Sequence, residues 1–244
     1  MAPMSLSVPF RHAAGAIRLA AGGGERFAQA GRLRNPGFLE ADAADALHAA
    51  LRASDAWREV INSGAKVFEL DRAARAAFPA DQRAALDTAV KMQAASGFQY
   101  RYETIRVRDD GAPGPVPALD QFAAWLNTPA SLDWFRAITG LPAIDLVDAQ
   151  ATSYGPGHFL TERDDNVAGK HRLAAYVFSL AADWRPEWGG TLCFPGASGR
   201  IEGLLPGFNT LMLFRVPQPH FVSEVASFAP GDRLSVTGWL RTRA

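Results

Sequence analysis

The sequence predicts an α+β protein in which helices come first and strands follow. Alanine-rich segments with apolar residues at helical spacing fill the chain up to position 143. From Ile144 onward, seven or so short runs of β-branched and aromatic residues alternate with turn residues. Helices that are separated from strands along the chain are typical of the α+β class. Several closely spaced short strands favour a sandwich or barrel.

Three regions are expected along the chain. The alanine-rich run near the N-terminus is interrupted by Arg18 and followed by three glycines, which indicates an arm or short helix and not a signal peptide. The change from helical to β pattern at Ile144 sets the last boundary. The regions are a poorly ordered N-terminal arm, a helical and mixed support region, and a β-rich core, over residues 1–30, 31–143 and 144–244.

Turn residues and periodicity define the individual elements. A helix follows Pro36-Gly37, a hairpin turns at Asn62-Ser63-Gly64, and a second helix begins at Pro79. Alternation predicts a strand over 98–107, and the glycines and prolines of 109–117 predict a loop at the rim of a site. Two further helices and the strands of the core are expected over 119–126, 131–139, 145–154, 158–161, 172–180, 191–194, 210–216, 220–225 and 233–241.

Composition excludes several classes of function. The 25 basic and 25 acidic residues balance, so bulk charge favours neither nucleic acid nor an anionic membrane. Cys193 is the only cysteine, which excludes an intrachain disulfide and a cysteine-based zinc site. No apolar run approaches the roughly 18–20 residues that a membrane span needs. We therefore expect a soluble, cytoplasmic protein; the sequence does not determine its oligomeric state.

Residues of the β-rich core have the order of a non-haem iron site with one ligand missing. Such sites hold Fe(II) with two histidines and one carboxylate, usually written in sequence as His-x-Asp, a distant second His and a nearby basic residue. Asp165, His220 and Arg233 follow that order. The position two before Asp165 is Arg163, whose guanidinium has no lone pair for a metal and stays protonated.

Each of these residues also has an ordinary structural interpretation. Asp165 stands in a polar cluster that is compatible with a solvated turn, and His220 is compatible with a buried core or edge histidine. Arg233 lies in a strand-like segment, where an inward guanidinium needs a carboxylate partner; the alternative is a surface salt bridge. By strand alternation Ser235 faces the same side as Arg233 and offers a hydroxyl.

The motifs of the C-terminal half resemble those of a known family. In order they are Tyr154-Gly155-x-Gly157-x-Phe159-Leu160, Asp164-Asp165, Arg172, Trp184 with Gly189-Gly190-x-Leu192, His220-x-Val222-x-x-Val225 and Arg233-x-Ser235-x-x-Gly238-Trp239. Together they resemble the 2-oxoglutarate- and Fe(II)-dependent dioxygenases, and within them the prolyl-4-hydroxylase-like group. The resemblance implies a double-stranded β-helix, or jelly-roll, core with N-terminal and flanking helices.

The resemblance also implies a chemistry and a set of roles. The cofactors would be Fe(II) and 2-oxoglutarate, with ascorbate as a further candidate, and the reaction would hydroxylate a C–H bond of a protein, peptide or small molecule. Asp165 and His220 would be the metal ligands and, with Arg233, the catalytic residues. Arg233 would bind the distal carboxylate of 2-oxoglutarate. The further co-substrate contacts would be Tyr154, Tyr176 and Ser235.

Arg163 stands where the family has its first iron-binding histidine, so we expect weakened iron binding. His158 has the wrong strand parity to replace that ligand, and His171 lies beyond the turn. Glu162 and Asp164 could replace it only by turning inward. The hypotheses are an oxygenase of reduced activity, an impaired relative that binds 2-oxoglutarate or protein, a non-redox cupin-like metabolite-binding protein, or a competent enzyme that carries a substitution at this position.

Overall fold

The computed structural model describes residues 9–108 and 110–243. Helices within these residues run over Ala14–Ala20 (α1), Gly23–Ala30 (α2), Ala41–Arg52 (α3), Arg72–Ala76 (α4), Ala80–Ala94 (α5), Pro117–Leu126 (α6) and Pro129–Thr139 (α7). Strands run over Arg32–Pro36 (β1), Arg58–Ser63 (β2), Lys66–Asp71 (β3), Tyr100–Arg106 (β4), Leu146–Val147 (β5), Gln150–Tyr154 (β6), Phe159–Arg163 (β7), Arg172–Ser179 (β8), Leu192–Pro195 (β9), Ile201–Leu204 (β10), Thr210–Arg215 (β11), His220–Val222 (β12) and Arg233–Arg241 (β13).

The strands form a jelly roll with two facing layers. One layer has the order β1-β11-β8-β13-β6-β4 and is extended by the β2–β3 hairpin, whereas the other has the order β7-β12-β9-β10. The strand β4 pairs with β6 of its own layer and with β7 of the opposite layer, so it closes one side of the roll. The predicted α+β class and jelly-roll core are confirmed.

Two apolar cores lie on the two faces of the larger layer. Along β8, Tyr176 and Phe178 pack with the helices on the outer face, whereas Ala175 and Val177 face the inside of the roll. This alternation follows from the two-residue period of a strand. The inner core joins both layers, because Val222 of β12 packs in the same cluster as residues of β8. A cavity inside the roll is therefore walled by both layers.

The N-terminal arm is helical where the structure describes it. Phe27 and Ala16 are fully buried, and the indole Nε1 of Trp134 donates a hydrogen bond of 3.0 Å to the Ala16 carbonyl. A Cβ at Gly23 would lie 2.8 Å from the backbone of Ile138. The expectation of a poorly ordered arm is wrong for residues 9–30, because the glycines permit close helix packing; residues 1–8 lie outside the described part.

Other expectations need smaller corrections. The predicted strand over 145–154 is divided into β5 and β6, and β1 and β10 were not predicted. The support region contributes β1 and β4 to the same sheet as the core. Of the predicted loop over 109–117, Asp109 lies outside the described residues, and Pro117 already begins α6. None of the helices in the described residues is long and apolar enough to cross a bilayer.

Candidate active site

The predicted site residues lie around one cavity inside the jelly roll. Asp165 follows β7, His220 begins β12 and Arg233 begins β13. In the two strand ladders, Arg163 is opposite His220 and Tyr154 is opposite Arg233. The cavity has a volume of about 80 Å³, and a water molecule needs roughly 10–15 Å³. The polar side chains along its wall include those of Tyr102, Tyr154, Arg163, Asp165, His220 and Arg233.

The backbone directs the carboxylate of Asp165 into the roll. Asp165 has a φ of 62°, in the left-handed region that aspartate tolerates better than most residues. The turn is held by Asp164, whose Oδ1 accepts a hydrogen bond of 2.9 Å from the Asn166 amide. Asp165 is only 6% exposed, whereas Asp164 and Asn166 are exposed. The solvated-turn interpretation therefore fits the two neighbours of Asp165 but not Asp165 itself.

The Asp165 carboxylate lies among cations and an imidazole. Its Oδ1 is 2.5 Å from Nη2 of Arg163 and 3.8 Å from Nη1 of Arg172, and its Oδ2 is 3.6 Å from Nε2 of His220. Arg172 also donates a 3.1 Å hydrogen bond to the Asp165 carbonyl. Asp165 is thus already neutralised by guanidinium groups of the chain.

His220 has the environment of a neutral imidazole. Its Nδ1 lies 2.8 Å from the carbonyl oxygen of Gln218; because a carbonyl can only accept, Nδ1 is the donor of this hydrogen bond. Burial lowers the pKa of His220. A protonated Nδ1 held by an acceptor is the arrangement that orients metal-binding histidines.

Arg233 is a buried cation with an unused hydrogen-bonding edge. It is 1% exposed, and within the described residues no acceptor reaches its Nε or Nη2. Burial lowers its pKa, but a guanidinium stays protonated in proteins. The same Nε and Nη2 edge of Arg72 is filled by the two carboxylate oxygens of Glu103, at 3.1 and 2.7 Å. The open edge of Arg233 therefore fits a carboxylate from outside the chain.

Two stacked tyrosines form the wall beside Arg233. The rings of Tyr154 and Tyr102 stack at 5.1 Å with an interplanar angle of 15°, and the Arg233 guanidinium lies 5.3 Å from the Tyr154 ring centre. Burial raises the pKa of Tyr102 to about 12 and that of Tyr154 further. Both hydroxyls are therefore protonated at neutral pH and able to donate. Tyr102 was not predicted as a site residue, because only the pairing of β4 with β6 and β7 brings it here.

Two predicted co-substrate contacts have hydrogen-bond partners within the chain. The ring of Tyr176 packs with the helix-side core, and its hydroxyl donates a hydrogen bond of 2.9 Å to the Asp148 carbonyl. Ser235 faces inward, but its hydroxyl shares a hydrogen bond of 2.8 Å with that of Thr152, which itself lines the cavity. Both hydroxyls are thus engaged within the chain, although Tyr176 also lines the cavity, and the two co-substrate contacts stay predictions.

The other candidate ligands lie elsewhere. The Nε2 of His158 is 3.3 Å from Oε1 of Glu59, on the far side of β7, and His171 is exposed. Glu162 is exposed and lines an outer groove together with Asp164. In the described part of the chain, no cluster of three or more His, Cys, Asp or Glu side chains could hold a metal ion.

The site does not fit the Fe(II) ion that the sequence led us to expect. It offers one carboxylate and one imidazole, Asp165 and His220, whereas a facial triad needs a third donor. Arg163 occupies the position of that donor, and its guanidinium is paired with Oδ1 of Asp165. A guanidinium cannot coordinate a metal and repels one. The residues present therefore fit an anionic ligand better than a cation.

Comparison with known proteins assigns the fold to a class. A family model described as the 2OG-Fe(II) oxygenase superfamily matches residues 149–241. No curated protein matches the sequence. Several hundred solved chains match it in structure.

Three of these solved structures are similar over most of the chain. A prolyl-4-hydroxylase from Pseudomonas putida is 22% identical, with 94% of this chain and 100% of that chain covered and a TM-score of 0.59. A prolyl hydroxylase from Trichoplax adhaerens, solved with a peptide fragment of the hypoxia inducible factor oxygen degradation domain, is 14% identical, with 93% and 90% covered and a TM-score of 0.63. A 2OG-Fe(II) oxygenase family oxidoreductase from Burkholderia pseudomallei is 15% identical, with 95% and 93% covered and a TM-score of 0.56.

Fold and family match together show what this chain is similar to. Residues 149–241, from just before β6 to the end of β13, match the model of the 2OG-Fe(II) oxygenase superfamily. The chain as a whole shares its fold with the two prolyl hydroxylase structures. At these identities the solved structures establish the fold, and the reaction of this chain has to be argued from its own residues.

Proposed function

We propose that this protein binds 2-oxoglutarate in the jelly-roll cavity and that its Fe(II)-dependent hydroxylation of a C–H bond is impaired by Arg163. The observation that carries the proposal is the open Nε and Nη2 edge of Arg233, which is buried and has no partner in the described residues. An unpaired buried charge is costly for a folded protein. A carboxylate on that edge would remove the cost.

The cavity suits one end of a small dicarboxylate. The two oxygens of the distal carboxylate would accept from Nε and Nη2 of Arg233, as the oxygens of Glu103 do from Arg72. The hydroxyls of Tyr154 and Tyr102 are candidate donors to the same carboxylate, because both rings line the cavity. The other end of the ligand would lie toward Asp165 and His220.

The chain itself gives the reason for impaired activity. Only Asp165 and His220 remain as metal ligands, and the Arg163 guanidinium lies 2.5 Å from the carboxylate that a metal would need. Metal binding would have to break this ion pair and place two positive charges close together. Iron affinity, and with it oxidation of a substrate, should therefore be low.

Replacing Arg163 with His tests the proposal. Under anaerobic conditions, Fe(II) and 2-oxoglutarate are titrated into the wild type and R163H while the weak metal-to-ligand absorption of the bound pair is recorded. The variant supplies the missing imidazole and removes the charge, so Fe(II) affinity should rise by at least about tenfold. In air with ascorbate, it should convert 2-oxoglutarate to succinate faster than the wild type.

R163K is the matched control, because it keeps the positive charge and supplies no neutral nitrogen. It should behave like the wild type in both assays. If R163H is folded and yet gains neither Fe(II) affinity nor succinate formation over R163K, the assignment of Asp165 and His220 as metal ligands is wrong. The cupin-like alternative predicts the same failure, together with unchanged 2-oxoglutarate binding in R233M.

A second candidate is an active oxygenase with two protein ligands. Arg163 is 27% exposed, and it borders an open outer groove of about 480 Å³ that is also lined by Phe98 and Val167. The guanidinium therefore has room to leave Asp165 when other ligands arrive. This candidate predicts that the wild type consumes 2-oxoglutarate with Fe(II) at a rate comparable to R163H, which the same succinate assay measures.

The substrate is proposed to lie in a cleft next to the cavity. This cleft has a volume of about 810 Å³ and shares Gln150, Thr237 and Trp239 with the cavity wall. The Trichoplax protein was solved with a peptide, and a peptide or small molecule is the substrate class that we propose here. A cytoplasmic location is also proposed, supported by the free and buried Cys193 thiol.

A further inference from the structure

The charges around the cavity are unusual for a site that is meant to receive a metal cation. Arg163 and Arg172 lie beside Asp165, and Arg233 lines the same cavity as Asp165. Among the arginine and aspartate side chains of this site, three guanidinium groups therefore accompany one carboxylate and leave two positive charges. A dicarboxylate carries two negative charges and would balance them without any metal.

We infer that this site binds 2-oxoglutarate and similar dicarboxylates without metal, with Arg163 in place of the iron as partner of the second carboxylate and Arg172 as the remaining partner of Asp165. The inference rests on the proposed function, because Arg233 is taken as the partner of the first carboxylate. The inference adds that, at the end of the ligand far from Arg233, an ion pair takes the place of metal chelation.

Arg163 is placed to contact a ligand. Its backbone pairs with His220 across the β7–β12 ladder, so its side chain starts at the cavity wall and lines the cavity. Its ion pair with Asp165 is formed by Nη2, and its guanidinium lies 5.7 Å from the ring centre of Phe98. Within the described residues, Nε and Nη1 form no hydrogen bond, so they can donate to a second carboxylate.

Arg172 supports the same end of the site. Its guanidinium stacks 3.5 Å above the Trp239 ring, which fixes its plane. In the described residues, its buried Nε has no hydrogen-bond partner. Trp239 lines the cavity and Arg172 does not, so Arg172 lies behind the Trp239 ring. An anion that displaces Arg163 from Asp165 would still leave that carboxylate compensated by Arg172.

Binding by charge and binding by chelation differ in ligand preference. A metal is chelated through the 2-oxo group together with its neighbouring carboxylate, so a chelating site prefers 2-oxoglutarate strongly over glutarate. Guanidinium groups contact only the carboxylates, which the two ligands share. We therefore expect 2-oxoglutarate and glutarate to bind this protein with affinities within about threefold of each other.

The experiment is isothermal titration calorimetry on the full chain, with 2-oxoglutarate and with glutarate as probes. Each is titrated in a buffer with EDTA and again in chelator-free buffer with Mn(II), which stands in for Fe(II). For each ligand, the dissociation constants in EDTA and in Mn(II) should agree within about threefold. R163M should bind at least about tenfold more weakly in EDTA, because a charge-assisted contact is lost. R163K should retain binding within about fivefold. R185M replaces an exposed arginine that does not line the cavity, and it should equal the wild type.

The outcomes separate the inference from the proposed function. Binding of 2-oxoglutarate that requires Mn(II) would overturn the inference and leave the proposed function standing. So would R163M, folded by circular dichroism, binding in EDTA as tightly as the wild type. If the folded wild type binds neither ligand under either condition, the proposed function itself fails. Loss of all binding in R233M, with the EDTA and Mn(II) results equal in the wild type, supports both.

Discussion

At the scale of single residues, Arg233 shows how a binding group is kept ready at the expense of stability. Its guanidinium is fully buried and its Nε and Nη2 groups have no partner in the described residues. A buried charge without a partner destabilises the folded state, and an apolar side chain of similar length would not. The residue is therefore better explained by a ligand than by the fold.

Replacing Arg233 with Met should separate these two effects. Without ligand, R233M should be more stable than the wild type by about 1–3 kcal/mol in urea unfolding, because the unpaired charge is removed. Binding of 2-oxoglutarate should fall by at least about a hundredfold, since a bidentate charge-assisted pair is lost. R72M is the control: it breaks the filled pair with Glu103 and should destabilise the protein. A loss of stability in R233M would show that Arg233 is structural.

Residue types and spacing are enough to predict which residues converge, but not what they contact. Asp165, His220 and Arg233 stand out because their chemistry and order fit a known kind of site. The Tyr176 ring packs with the helix-side core because of the strand parity of β8, a contact that its residue type did not indicate. The hydroxyl of Ser235 is taken by Thr152, a neighbour on another strand that the sequence around Ser235 does not reveal.

At the scale of elements, a tight glycine turn determines the position of Arg233. Gly190 has a φ of 63°, and a Cβ there would lie 3.1 Å from Cδ of Arg233 and 3.2 Å from Cγ2 of Val225. The neighbouring Gly189 is held by Trp184, whose Nε1 donates a hydrogen bond of 2.9 Å to its carbonyl. The Trp184 and Gly189-Gly190 motif therefore forms the wall against which the arginine stem packs.

Substituting Gly190 with Ala should disturb both stability and binding. A left-handed φ costs a residue with a Cβ about 1–2 kcal/mol, and the new methyl group has to displace the Arg233 side chain. We expect G190A to weaken 2-oxoglutarate binding by about tenfold or more in calorimetry. In G199A the same strain arises at a φ of 75° with nothing within 4 Å, so stability should fall while binding stays. Equal binding by both variants would contradict this role for the turn.

Elements with a clear period were predictable, and those held by distant partners were not. The helices α6 and α7 and the strands β8 and β13 follow their apolar patterns closely. The strand β1 has the polar sequence Arg-Leu-Arg-Asn-Pro and forms because it pairs with β11 over five residues. The glycines near α2 were read as a sign of disorder, although Gly23 is where that helix packs on α7.

At the scale of the whole molecule, a buried charge network joins the support region to the core. Glu59 of β2 is 1% exposed, and its Oε1 lies 3.0 Å from Arg75, 2.9 Å from Arg101 and 3.3 Å from His158. Burial alone would raise the pKa of Glu59, but hydrogen bonds from His158 and Arg101 outweigh it and lower the pKa to about 2. The network therefore contains a carboxylate that stays ionised in mild acid.

Replacing Glu59 with Gln should destabilise the protein in a pH-dependent way. At pH 7 the cost should be about 3 kcal/mol, because the cationic partners lose their buried counter-charge. A carboxylate with a depressed pKa stabilises the fold above its ordinary value of 4.5, and this contribution is lost as the pH falls toward about 2. The stability difference between wild type and E59Q in urea unfolding should therefore shrink over that window.

The control for this prediction is E69Q. Glu69 is partly exposed and pairs with Arg58 and Arg106, which are more exposed still. Exposed pairs contribute little, so E69Q should change stability by less than about 1 kcal/mol at any pH. An E59Q variant that differs from the wild type equally at pH 7 and pH 3 would show that the ionised carboxylate is not what holds the network together.

The position of β4 decides what can be removed from this protein. The strand comes from the first half of the chain, yet one of its edges pairs with both layers: Tyr100 lies opposite Leu160 in β7, and Thr104 lies opposite Thr152 in β6. A fragment cut to residues 149–241 would lose β4, which connects the two layers, and β1. The edges of β6, β7 and β11 would then be unpaired, and unpaired strand edges promote aggregation. The β-rich half therefore depends on the upstream half for its folding.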